Sequence, residues 1–132
     1  MGKVIVVYDS LTGQGEWFSK QLGVEAVSIH LVKEEDVINN KILLVTRCIN
    51  YGSIPEPTIN FLEDYAYTEN IMGTAINGNR NWGENFAVVG DKVEALFNIP
   101  CIHKFEGMGM PKDAKKVRDY LNYLKQTPLI KQ

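Results

Sequence analysis

Continuous apolar runs alternate with amphipathic stretches along this chain, and the two patterns predict different elements. Lys3 to Tyr8 is β-branched and apolar without period-two alternation, the signature of a strand covered on both faces. Ile42 to Thr46 repeats it, and Ile71 to Ile76 and Ile99 to Phe105 are weaker versions. A short strand over Glu25 to His30 is expected beside the first, nearer an edge. Helices are predicted over Gly15 to Leu22, Pro57 to Tyr67, Asn85 to Phe97 and Asp113 to Lys125, each with apolar residues at helical spacing. Pro57 suits a first turn. The polar link from His30 to Lys41 receives no helix.

Strands alternating with helices imply a doubly wound five-stranded parallel sheet with helices on both faces. The 132 residues show no repeat, low-complexity tract or linker, so 1–132 is expected to be a single domain. Ligands of such sheets bind beyond the carboxyl ends of the strands, where the strand order reverses. That rule selects the loops Asp9 to Gly15, Cys48 to Pro55 and Asn77 to Asn85.

The first loop has the chemistry of a phosphate cradle. Ser10 and Thr12 offer hydroxyls, Gly13 and Gly15 allow close backbone approach, and the next helix turns its free N–H groups toward the same point. It holds no Lys or Arg, so neutral donors carry the anion. Phe18 stands where a dinucleotide fingerprint needs its third glycine, and no nucleotide-triphosphatase loop is present. A plain turn and helix cap would explain this loop alone, and core packing would explain either aromatic alone. Together, Tyr51 beside Gly52 and Trp82 among Asn79, Asn81 and Asn85 suit a flat ring with a mixed donor and acceptor edge.

Composition excludes several alternatives. A formal net charge of −2 leaves no electrostatic footprint for nucleic acid or a membrane surface. No apolar run reaches the roughly 18 residues of a membrane span. The apolar start through Tyr8 is too short for a leader, which makes cytoplasmic location the default. Cys48 and Cys101 form no Cys-x-x-Cys pair, so neither a metal knuckle nor a disulfide framework is expected. His30 and His103 are isolated, and no nucleophile triad is evident. Asp9 stands alone and Thr46-Arg47-Cys48 has no Asp, which weakens a phosphoacceptor receiver reading.

Three blocks carry a resemblance: Ser10-Leu11-Thr12-Gly13, then Asn50-Tyr51-Gly52 with Pro55, then Gly78-Asn79-Arg80-Asn81-Trp82-Gly83-Glu84-Asn85-Phe86. With His103-Lys104-Phe105-Glu106 they make the chain resemble the NrdI family, flavodoxin-like companions of class Ib ribonucleotide reductase. The third block is the most discriminating. The resemblance implies the cofactor FMN, with Ser10, Leu11, Thr12, Gly13 and Gln14 around its phosphate. It implies Asn50, Tyr51 and Gly52 along the isoalloxazine, with the Gly52 peptide near N5. It also implies Asn79, Trp82, Gly83, Asn85 and Phe86 in the third wall, Trp82 against the ring and Phe86 under the loop. Gln14 and Arg47-Cys48-Ile49 depart from the family pattern, and Cys48 is read as a buried spectator.

The implied partners are the reductase small subunit NrdF, dioxygen and an unidentified electron donor. The implied chemistry is flavin-centred generation of an oxidant, with no catalytic side chain. Single-electron transfer by a conventional flavodoxin is the alternative. The segments 48–55 and 77–83 of the two ring-facing loops carry no Asp or Glu, so the repulsion that penalises a reduced anionic ring should be small. The exposed edge near 52–55 and 106–110 is the expected docking surface.

Overall fold

The computed structural model describes residues 3–50 and 52–126, the side chains of Glu84 and Asn85 excepted. Five strands, β1 (Val4–Tyr8), β2 (Glu25–Ser28), β3 (Lys41–Arg47), β4 (Ile71–Gly78) and β5 (Cys101–Glu106), form one sheet in the order β2-β1-β3-β4-β5. Every pairing is parallel. Helices α1 (Gln14–Lys20), α2 (Glu34–Asn39), α3 (Glu56–Tyr65) and α4 (Val89–Phe97) connect them, and α5 (Pro111–Lys125) follows β5.

Alternation along the buried strands divides the core in two. Val4, Val6, Leu43, Val45 and Phe105 face α1 and α5, meeting Phe18, Leu22, Val117 and Leu121. Ile5, Val7, Ile42, Leu44 and Ile76 face α2, α3 and α4, meeting Val37, Phe61, Leu62 and Val93. Covering both faces is what makes β1 and β3 read as unbroken apolar runs. Phe18 and Phe105 stack with centroids 3.9 Å apart, fixing α1 against β5. Full burial of one such ring contributes roughly 2–3 kcal/mol.

The structure differs from the sequence expectation in two places. The link before β3 contains α2, a six-residue helix with only Val37 buried. A local capping bond and long-range polar contacts from Asn70 replace an apolar stripe there. Asp36 Oδ2 accepts the Lys33 N–H at 3.0 Å, and the Asn70 amide donates to the carbonyls of Val37 and Ile38 at 2.8 and 2.9 Å. The helix expected from Asn85 begins instead at Val89. Ala87 has φ 51°, which an α-helix cannot contain, and Arg80–Asn85 forms a separate 3-10 segment kinked at Gly83.

β1 pairs with β2 on one side and β3 on the other, so the winding direction reverses between β1 and β3. Their carboxyl ends therefore open the crevice in which open α/β sheets bind ligands.

Candidate cofactor site

The loop after β1 is anchored at its base and open at its tip. The Asp9 N–H donates to Val45 O at 2.8 Å as the last rung of the β1–β3 ladder. Ser10 Oγ accepts the Gly13 N–H at 3.1 Å, and Gly13 at φ 90° turns the chain into α1. The first intrahelical bond runs from Trp17 N–H to Gly13 O, so the N–H groups of Gln14, Gly15 and Glu16 precede the helical ladder. Leu11, Thr12, Gly13 and Gln14 are exposed.

Beneath this loop lies a network that sequence reading missed. Asp9 is 1% exposed; Arg47 Nη2 lies 3.2 Å from its Oδ1, and Thr58 Oγ1 donates to its Oδ2 at 2.7 Å. Thr46 Oγ1 is 2.6 Å from Thr58 Oγ1. Asp9 is thus not alone, and the Arg47 charge is matched from below rather than presented unbalanced to the ligand crevice.

The loop after β3 is a tight turn. Ile49 and Ser53 exchange backbone hydrogen bonds, and the Gly52 N–H also donates to Ile49 O at 2.9 Å. Asn50, at φ 47°, is exposed, whereas Gly52, at φ 131°, is buried. A Cβ on Gly52 would stand 2.5 Å from Val88 Cγ1, so only glycine fits both the angle and the space. Tyr51 lies outside the described residues. Cys48 is not the buried spectator expected from sequence: it is half-buried and lines a cleft with Trp82, and burial pushes its thiol up against the opposing Val89 N–H and the Lys104 and Lys92 charges.

The loop after β4 forms the opposite wall. Asn79 Oδ1 accepts the Asn81 N–H at 2.9 Å, and Trp82 is half-buried. Gly83 bends the 3-10 segment that Asn85 ends, and Arg80 Cζ lies 4.4 Å over the half-buried Phe86 ring. Gln14, Cys48, Asn77, Gly78, Asn79, Trp82, Glu106 and Gly107 enclose an open cleft of about 230 Å³. It thus joins four of the five segments at the carboxyl edge, and Gln14, Asn79 and Trp82 are sequence-predicted site residues that share it. Ser10, Leu11, Thr12, Gly13, Asn50, Gly52, Gly83 and Phe86, also expected at the site, lie outside its lining. A larger cavity of about 430 Å³ opens near Lys3, Lys41 and Leu124, at the amino ends of the strands. The smaller one is the candidate site, because strand ends, loop motifs and aromatic wall coincide there.

Glu106, at the end of β5, also lies on the lining and brings to the cleft a carboxylate that the two ring-facing segments do not carry. Its Oε2 accepts the Arg80 N–H at 2.9 Å, and its Oε1 lies 3.8 Å from Arg80 Nε. His103 is not isolated either. Its Nε2 lies 2.7 Å from Asp113 Oδ1, while Asp113 Oδ2 accepts the Met110 N–H at 2.7 Å. Burial alone would raise the Asp113 carboxyl; the Met110 N–H and His103 outweigh it and hold it below the usual range. These bonds fix the 106–110 loop at the mouth of the cleft.

Neutral donors at the turn after β1 and a cleft lined by polar groups and Trp82 fit a phosphate-tailed flat ring. The donor set contains no alternative suited to a metal: among the described residues no group of three or more His, Cys, Asp or Glu could hold one. No helix among them is long and apolar enough to cross a membrane.

Solved structures share this architecture. A short-chain flavodoxin associated with a bacterial microcompartment aligns with a TM-score of 0.76 at 18% identity, over 92% of this chain and 95% of that one. A flavodoxin from the domain Archaea aligns at 0.70 and 15% identity, over 94% and 96%. The protein is flavodoxin-like in class, and FMN is the cofactor that its family implies. Within that class, the family described as "NrdI Flavodoxin like" matches residues 6–119, and the chain belongs to that family. The SPbeta prophage-derived protein NrdI of Bacillus subtilis is 34% identical over 116 residues, spanning 85% of this chain and 86% of its own. Protein NrdI of Macrococcus caseolyticus is 33% identical over 113 residues, spanning 86% and 84%.

Proposed function

We propose that this chain is a single FMN-binding domain that activates a class Ib ribonucleotide reductase. In reduced form it would react with dioxygen and supply the oxidant that assembles the dimanganese–tyrosyl radical cofactor of the small subunit, NrdF. The observation that carries this reading is the Gly78–Phe86 block. That block follows β4 at the carboxyl edge of the sheet, and its Gly78, Asn79 and Trp82 line the cleft there.

The roles follow the loops. Ser10, Leu11, Thr12, Gly13 and Gln14 hold the phosphate through hydroxyl and backbone donors. Asn50, Tyr51 and Gly52 line one edge of the ring. Asn79, Trp82, Gly83, Asn85 and Phe86 form the facing wall, Trp82 by contact and Phe86 by supporting the loop beneath Arg80. FMN, when bound, supplies the redox chemistry, so these side chains bind and orient rather than act as acid or base.

One observation favours the conventional single-electron flavodoxin as a second reading. Glu106 on the cleft lining disfavours an added negative charge on the ring. Arg80 sits against that carboxylate and offsets it, which returns the balance to the first reading.

Partner docking is assigned to the mouth of the cleft. Met108 is 54% exposed and Met110 62%, and together with Trp17 and Phe18 they line an adjoining groove of about 280 Å³. Met108→Glu is expected to cut radical formation in manganese-loaded NrdF about tenfold, the effect of about 1.4 kcal/mol of lost association. FMN affinity should be unchanged. Electron paramagnetic resonance of the tyrosyl radical and flavin fluorescence titration measure the two. Parallel loss of both would contradict the assignment, and no radical with the unmodified protein would contradict the function.

A further inference from the structure

The turn that follows β3 is tied to helix α4 by one side chain. Lys92 Nζ donates to the Gly52 carbonyl at 2.6 Å, a contact between residues 40 apart in sequence. A charge-assisted hydrogen bond of this length is stronger than its neutral counterpart. Lys92 stands one turn after Val88, whose Cγ1 occupies the space a Gly52 side chain would need. The neighbouring Asp91 is engaged elsewhere, its Oδ2 accepting from Lys104 Nζ at 2.7 Å, so it does not draw Lys92 off the carbonyl.

The turn itself leaves this carbonyl as its adjustable part. The amides of Gly52 and Ser53 both donate to Ile49 O, at 2.9 and 2.6 Å, and Ser53 O accepts from the Ile49 N–H. The Gly52 carbonyl takes no part in that closure. Its direction depends on ψ of a glycine, a residue with low barriers to reorientation.

We propose that Lys92 is a positioning residue for the flavin site, holding the Gly52 carbonyl toward α4 and withholding it from the ring. This rests on the reading that Gly52 lines the ring. A ring bound there that gained one electron and one solvent proton would carry a new N–H in need of an acceptor. A carbonyl already engaged by an ammonium is a poor one. Lys92 therefore keeps the first reduction step from gaining extra stabilisation, which brings the two one-electron potentials together.

The test uses Lys92→Met, of similar length without the charge, and Lys92→Arg, which keeps a donor. Anaerobic dithionite titration of the FMN-loaded proteins should show the potentials of Lys92→Met separated by at least about 60 mV more than in the unmodified protein, a tenfold change in a one-electron equilibrium. Lys92→Arg should stay near the unmodified separation. An unchanged separation in Lys92→Met, or an equal widening in Lys92→Arg, would overturn the proposal. Hydrogen exchange of the Gly52 and Ser53 amides in flavin-free protein tests the latch independently of cofactor. Exchange at least about threefold faster in Lys92→Met supports it, and unchanged exchange overturns it. Failure of the unmodified protein to bind FMN would strike the cofactor reading instead, with the exchange result still deciding the latch.

Discussion

Replacing Asp9 by alanine is expected to destabilise the protein by about 3 kcal/mol, the largest single effect among its polar residues. The carboxylate is buried, pairs with Arg47 and accepts from Thr58. Removing it strands a guanidinium whose side chain is only 21% exposed and whose Nε already lacks a hydrogen-bond partner. Partial access to water keeps the penalty at the low end of the usual 3–5 kcal/mol range. The midpoint of urea unfolding should fall with the slope unchanged. Asp9→Ala combined with Arg47→Met should recover much of the loss, because the stranded charge is gone. A single variant within about 0.5 kcal/mol of the unmodified protein would show that the pair is not a structural requirement.

Gly78→Ala should damage the cofactor site most directly. An added Cβ would lie 2.6 Å from Ala87 N and 3.0 Å from Ala87 Cα, backbone atoms that cannot swing aside. Ala87 is fully buried at φ 51°, so it has no slack to take up the displacement. The segment between these two residues is the wall that contains Asn79 and Trp82. Overpacking of this kind costs about 1–3 kcal/mol, and the wall must move as well. FMN affinity is expected to fall more than about tenfold, equivalent to about 1.4 kcal/mol. Fluorescence titration and thermal unfolding measure the two effects. Full affinity with an unchanged melting temperature would mean the contact is not close in solution.

Elements governed by burial were legible in the sequence. Val4 through Val7 and Ile42 through Val45 are fully enclosed, so their composition alone marked them as central strands. Local chemistry likewise marked the loops that meet at the carboxyl edge. Contacts across long sequence separations were not legible. Asp9 meets Arg47 and Thr58 at separations of 38 and 49 residues, and Glu106 meets Arg80 at 26. Helix α2 depends on Asn70, more than thirty residues later. The delayed start of α4 follows from the Gly78–Ala87 approach, which no helical periodicity in 85–97 encodes. Gly52 was picked out for its conformational freedom, whereas Lys92, which restrains its carbonyl, lies in a different helix.

The most direct test of the account is an anaerobic reductive titration of the purified protein reconstituted with FMN, followed by its visible spectrum. The account predicts retained flavin and two closely spaced one-electron potentials. Retained flavin with widely separated potentials would instead indicate a single-electron flavodoxin. Absence of flavin binding would contradict the central claim and leave the cleft between Gln14, Asn79 and Trp82 for another ligand.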